Sequence, residues 1–131
     1  MRNLFDLSGK RALITGSAQG IGHLLAGGLA EYGAEIVIND RTQERADQAA
    51  QALVAQGFRA VGYAFDVTQA AQVEQTIARI EEEVGAIDIL INNAGIQRRF
   101  PFTEFPEGSG TTLLRSTRRA FFWYRSRWRN I

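Results

Sequence analysis

Short, unbroken apolar runs alternate along this chain with longer stretches in which apolar residues recur every three or four positions. The first run, residues 10–15, stops at Gly16 and predicts a buried strand followed by a tight turn. Ile21, Leu24, Leu25, Gly28 and Leu29 then fall at helical spacing, and Gly33 stands where a C-terminal cap belongs, which predicts a helix over about 21–32. Gly27 and Gly28 within it each cost roughly 0.5–1 kcal/mol relative to alanine, so either the helix packs closely on a sheet there or the loss is tolerated. Residues 35–39 predict a second strand. Ala46, Ala49, Ala50, Leu53 and Val54 mark a second helix ended by Gly57, and its small inner residues imply a close approach to the sheet. A third strand over 59–65, a third helix striped by Val73, Ile77, Ile80 and Val84 between caps near Thr68 and Gly85, and a fourth strand over 88–92 complete the pattern.

Strands separated by helices need right-handed crossovers, and these produce a parallel sheet with helices on both faces. The expected class is therefore α/β, built as the N-terminal half of a doubly wound parallel sheet. A chain of 131 residues suffices for one domain. No apolar run approaches the roughly 20 residues that span a bilayer, and residues 1–7 hold no stretch suited to a signal peptide. No membrane association and a cytoplasmic location are the expectations. Without cysteine there is no disulfide, thiolate nucleophile or cysteine-based zinc site, and a single histidine makes no cluster, so no metal site is expected.

The net charge of +1 hides a division. Residues 1–107 carry nine basic and fourteen acidic groups, whereas residues 108–131 carry six arginines and no acid. Such a break, just after the turn-like residues 105–110, divides the chain into a domain over 1–107 and a basic, aromatic, irregular tail over 108–131.

The glycine-rich stretch between the first strand and first helix carries the strongest chemical signal: Thr15, Gly16, Ser17, Ala18, Gln19, Gly20, Ile21, Gly22. A loop placed there brings backbone N–H groups and a helix dipole against a pyrophosphate. Gly16 permits the turn, Gly20 lets the backbone approach phosphate, and Gly22 lets the helix close on the strand. Gly16, Ser17, Gln19, Gly20, Ile21 and Gly22 are the candidate contacts from this loop. Asp40 follows Gly22 by 18 residues, at the end of the next strand, where a carboxylate accepts hydrogen bonds from ribose hydroxyls. That favours NAD, but the guanidinium of Arg41 can pair with the 2′-phosphate of NADP, so the cofactor is read as NAD(P).

With Asp66-Val67 after the third strand and Asn92-Asn93-Ala94-Gly95 after the fourth, the chain over 7–107 resembles the short-chain dehydrogenase/reductase family. The resemblance implies the Rossmann NAD(P)-binding fold. It also implies that Asp66 and Val67 hold the adenine, Asn92 ties adjacent strands, and Asn93, Ala94 and Gly95 lie along the cofactor. Residues 95–106 resemble more narrowly the gluconate 5-dehydrogenase branch, which interconverts gluconate and 5-ketogluconate. A sugar-acid substrate carries a carboxylate that a guanidinium binds at two points, which makes Arg99, then Arg98, the candidate substrate contacts. His23 reads as an exposed residue of the first helix rather than a catalytic one.

The family's reaction uses a tyrosine, a lysine four positions later and a serine. Here the lone lysine is Lys10, and Tyr124 is followed four positions later by Trp128. The expected catalytic set is therefore none. A family-like stretch, encoded with synonymous codons chosen to fit and read one nucleotide out of register, can yield the tail over 109–125, so a frameshift near Glu107 is expected, and the gene sequence tests it. The tail has no expected specific nucleic-acid partner. The family's tetramer is not expected for this chain, which reads either as an enzyme lineage retaining cofactor binding or as a non-catalytic dinucleotide-binding remnant.

Overall fold

A computed structural model describes residues 4–94 of the chain. Seven elements alternate: β1 (Arg11–Ile14), α1 (Gly20–Glu31), β2 (Glu35–Asp40), α2 (Gln43–Ala55), β3 (Ala60–Ala64), α3 (Ala70–Glu83) and β4 (Ile89–Ile91). The strands form one parallel sheet in the order β3-β2-β1-β4, with Leu13 of β1 beside Val37 of β2 and Leu90 of β4. This is the Rossmann-like α/β arrangement. The chain leaves β1 toward β2 on one side and returns to place β4 on the other, so the order reverses between β1 and β4.

Successive side chains of a strand point to opposite faces, and each face of this sheet buries its own core. On one, Ala12, Ile14, Ile36 and Ile38 meet Ala26 and Ala30 of α1 and Ala46, Ala49, Ala50 and Leu53 of α2. On the other, Leu13, Val37, Tyr63, Phe65 and Val67 meet Val73, Ile77 and Ile80 of α3, with Ile87. Alanines bring the α2 backbone so near the sheet that a Cβ on Gly62 would stand 2.6 Å from the carbonyl carbon of Ala46. The α3 face is instead filled by long side chains, as a helix held farther out requires.

One local expectation needs correction, and one open alternative is decided. The face that α1 turns inward is Gly22, Ala26 and Ala30, spaced four apart, while Ile21 and Leu24 are 72% and 74% exposed and Leu25 is also exposed. The larger apolar residues carry the helical spacing in the sequence, but small ones are what this close packing against the sheet accepts. Nothing among the described residues stands within 4 Å of a Cβ placed on Gly27 or Gly28, so close sheet packing is not their reason. The α3 cap expected near Thr68 falls one residue on, at Gln69. The Thr68 backbone N–H and hydroxyl both donate to Oδ1 of Asp66, at 2.9 and 2.7 Å, which keeps Thr68 in the preceding turn.

Candidate functional site

The carboxyl ends of β1, β2 and β4 converge at the point where the strand order reverses, the place where open α/β sheets form ligand crevices. Thr15, at the end of β1, ties that point together. Its hydroxyl donates to Oδ1 of Asn92 at 3.3 Å and accepts the backbone N–H groups of Asn93 and Ala94 at 3.0 and 2.9 Å. One donor and two acceptors are thereby used in full. The strand-tying role expected of Asn92 thus has its partner in Thr15.

Asn39, at the end of β2, is 2% exposed and does the same for the other side. Its Oδ1 accepts the Gly16 backbone N–H at 3.1 Å, and its Nδ2 donates among the carbonyls of Asp40, Tyr63 and Phe65, each at 3.2 Å. Ser17 and Asn39 also exchange bonds: the Ser17 N–H donates to the Asn39 carbonyl, and the Asn39 N–H donates to Ser17 Oγ. Ser17 Oγ in turn donates to the Ile14 carbonyl at 2.7 Å. The loop is therefore held to the ends of three strands without using any group on its outer side.

Two glycines make this possible and a third leaves room beside it. Gly16 has φ of +63°, and a Cβ there would stand 3.0 Å from Cα of Ala94. A Cβ on Gly22 would stand 2.7 Å from the Gly16 carbonyl oxygen and 2.5 Å from Nδ2 of Asn93, so α1 can start this close to β1 only at glycine. Gly20, with φ of +65°, has no heavy atom within 4 Å of its would-be Cβ among the described residues. It faces open space. Gln19 is the N-cap residue of α1 but makes no side-chain capping bond, which leaves first-turn N–H groups of the helix for an anion.

The open space is a cavity of about 570 Å³ lined by Gly16, Gln19, Gly20, Ile21, Asn39, Asp40, Arg41, Arg45, Phe65, Val67, Asn93 and Ala94. Of the residues singled out from sequence, Gly16, Gln19, Gly20, Ile21, Asp40, Arg41, Val67, Asn93 and Ala94 are brought together here. Ser17 and Gly22 are buried behind the loop and hold its shape. Asp66 flanks the cavity wall between Phe65 and Val67 and is not part of the lining. Gly95, Arg98 and Arg99 lie outside the described residues. His23 is half-buried rather than exposed, with Nδ1 3.3 Å from the Ser17 carbonyl oxygen.

Asn39, Arg45 and Phe65 are the residues that sequence reasoning did not assign. A lone amide at the end of the apolar run 36–38 is a legible signal for Asn39, because a buried amide demands partners. Nothing in the pattern marks Arg45, an exposed position on a helix.

The charge distribution suits an anionic ligand with a hydroxylated group beside it. The Asp40 carboxylate accepts the Arg41 N–H at 2.7 Å and lies 4.0 Å from the Arg45 guanidinium. Partial burial would push the Asp66 carboxyl upward, but the two bonds from Thr68 and the nearby charge of Arg41 hold it below the ordinary carboxylate range. Among the described residues no group of three or more His, Cys, Asp or Glu side chains is placed to hold a metal ion, and no helix is long and apolar enough to cross a membrane. A dinucleotide fits the lining: glycine and a helix N-terminus on one side, a carboxylate at a strand end and two guanidinium groups on the other.

The fold and the loop define a class, and the family model described as short chain dehydrogenase matches residues 10–123. The chain belongs to that family. It is 52% identical over 122 residues to 5-keto-D-gluconate 5-reductase of Escherichia coli K12, covering 93% of this chain and 48% of that protein. It is 49% identical over 120 residues to gluconate 5-dehydrogenase of Gluconobacter oxydans, covering 92% and 47%. Among solved structures, a gluconate 5-dehydrogenase from Burkholderia cenocepacia J2315 in complex with NADP and tartrate matches with a TM-score of 0.84 and 50% identity, over 93% of this chain and 48% of that one. The chain spans about half the length of the curated relatives it matches.

Proposed function

We propose that this chain is the NAD(P)-binding part of an oxidoreductase that interconverts gluconate and 5-ketogluconate. The observation that carries the cofactor reading is the cavity itself, with Gly20 and the first turn of α1 on one side and Asp40 on the other. The names of the relatives above support the sugar-acid reading. When bound, the nicotinamide supplies or accepts the hydride.

The chain's own residues bind and orient. The loop N–H groups and the α1 dipole receive the pyrophosphate, Asp40 accepts from the adenosine ribose, and Val67 with Phe65 gives the adenine an apolar wall. Asn93 and Ala94 continue along the cofactor toward the substrate side, where Gly95, Arg99 and Arg98 are proposed to follow. Ser17 and Gly22 act behind the loop rather than at the ligand.

No group in this sequence is assigned to proton transfer. Lys10 precedes β1, at the amino end of the sheet, while the cavity opens at the carboxyl ends. A positioned general acid contributes roughly 10²–10⁴-fold, so this chain is proposed to bind cofactor without turning over 5-ketogluconate. The boundary proposed at 107 rests on the change of charge and the proposed shifted frame on the out-of-register reading of 109–125, while the family match continues to 123.

Titration calorimetry with NADP and NAD tests the reading, with Gly20→Ala as a control, since a Cβ there enters the cavity side and the positive φ disfavours it. Weak binding that the control removes is the expected result. A folded chain that gives no heat with either dinucleotide at millimolar concentration rejects it. Cofactor-dependent turnover of 5-ketogluconate by this chain would reject the non-catalytic part.

A further inference from the structure

β3 ends the strand order, and no strand lies beyond it among the described residues. The Ile36 N–H donates to the Arg59 carbonyl and the Phe65 N–H to the Asp40 carbonyl, so the odd-numbered residues here bond to β2. Ala60, Gly62 and Ala64 therefore turn their N–H and C=O groups outward, which makes the edge a template for a further strand. On this edge Nε2 of Gln43 donates to the Gly62 carbonyl at 2.7 Å, and its Oε1 accepts the Ala64 N–H at 3.0 Å. One residue of an added parallel strand would make the same two bonds. The side-chain amide stands where that residue's backbone would stand.

We infer that the outer edge of β3 is a surface to which a second copy of this chain adds through its own β3, and that Gln43 holds this surface closed. The second N–H of the Gln43 amide donates to Oδ1 of Asp47, one turn further along α2, at 2.7 Å. Both amide hydrogens and the oxygen are thus engaged. Water would satisfy an exposed glutamine equally well, and fixing the side chain costs rotamer freedom. The helix does not require it either, since Thr42 is the side-chain cap of α2. Gln43 does not line the dinucleotide cavity, so the inference stands apart from the cofactor reading.

A second copy is the partner because the edge is self-complementary. In an antiparallel pair centred on Gly62, Gly62 faces Gly62 of the partner subunit and Ala60 faces the partner subunit's Ala64. Every outward group on one copy then meets one on the other, as a two-fold contact requires. No side chain larger than a methyl group stands on these three residues. The edge borders a groove of about 410 Å³ walled by Gln43 and Val54 of α2 and by Arg79 and Glu83 of α3, so neither helix covers it. Val54 and Val61 are exposed beside it and add apolar surface to the contact.

Sedimentation velocity over a concentration series, with residue-level amide exchange on the same full chain, tests this. Gln43→Ala is expected to strengthen self-association by about tenfold, and in the associated form to slow exchange at Ala60, Gly62 and Ala64. In the dilute monomer the same variant speeds exchange at Ala64 by about tenfold, because that N–H loses its acceptor. Gln43→Glu, which keeps the acceptor and loses the donor, falls between that variant and the parent. Adding Ala60→Pro to Gln43→Ala should return association to the parent level, because proline removes an outward N–H without breaking a bond to β2. Unchanged exchange at Leu13 and Val37, buried in the sheet, separates these results from loss of the fold. Association that Gln43→Ala leaves unaltered, that the proline does not reverse, or that protects other residues instead of these three overturns the inference.

Discussion

The two ends of this sheet use polar residues in opposite ways. At the amino ends, Arg11 donates to Oε2 of Glu35 at 2.5 Å and to the Ala86 carbonyl at 2.9 Å, and its backbone N–H donates to Asp88 at 3.0 Å. Arg59 joins Glu35 at 3.7 Å. A cavity of about 500 Å³ lies there too, but the charged groups on its wall, Arg11, Glu35 and Arg59, are paired with one another. At the carboxyl ends the buried polar residues Ser17 and Asn39 bond to each other, and together with Thr15 they satisfy the strand termini. The groups nearer solvent, Gly20, Asp40, Arg41 and Arg45, face the cavity. Similar volumes therefore mean different things. What makes one end a site is that its structural polar bonds are completed one layer behind the surface.

That contrast breaks first at Asn39. Asn39→Ala leaves the Gly16 N–H and the carbonyls of Tyr63 and Phe65 without their buried partner, and about 3 kcal/mol of stability should go with it. Cofactor binding should be lost as well, because the glycine loop loses its anchor. Urea denaturation and calorimetry on the same preparation check both losses, and a variant that keeps its stability would show that the loop does not depend on this amide.

Gly22→Ala should cost somewhat less, about 2 kcal/mol, because α1 must shift away from the Gly16 carbonyl to admit the methyl group. At the opposite end Arg11→Ala should cost about 1–2 kcal/mol through its bonds to Glu35 and Ala86, with dinucleotide affinity unchanged once folding is restored by lower temperature. A parallel loss of affinity in Arg11→Ala would erase the distinction between the two ends.

The smallest effects are in pH. Burial, and then the bond from its hydroxyl to Glu83 at 2.6 Å, push the Tyr63 phenol up to about 12, against the nearby Arg79. A raised pKa means that the folded state holds the proton more tightly, so this contribution is complete below pH 10 and fades as pH rises toward 12. Asp66 has the opposite sign: its lowered carboxyl contributes above 3.8, and the contribution disappears as pH falls through its folded value. Tyr63→Phe should flatten the alkaline limb of a stability profile, and Asp66→Asn the acid limb. Unaltered limbs would separate both side chains from stability.

Several features of this protein were legible in its residues alone. The runs at 11–14, 36–38 and 89–91 alternate with helix-forming stretches, and a parallel sheet follows because consecutive strands separated by helices have no short way to pair antiparallel. The glycine positions and Asp40 were legible because positive φ, a close approach of a helix and a carboxylate at a strand end each demand particular residue types. What hydrophobic size could not reveal was which face of α1 is buried: Gly22, Ala26 and Ala30 lie inward because the close approach of helix and sheet admits only small side chains. Nor could spacing show that Asn39 anchors the loop or that Arg45 reaches Gln19, 26 positions away. Those contacts join segments remote in sequence, and they exist only once the sheet has set β1 beside β2 and brought the start of α2 against the glycine loop.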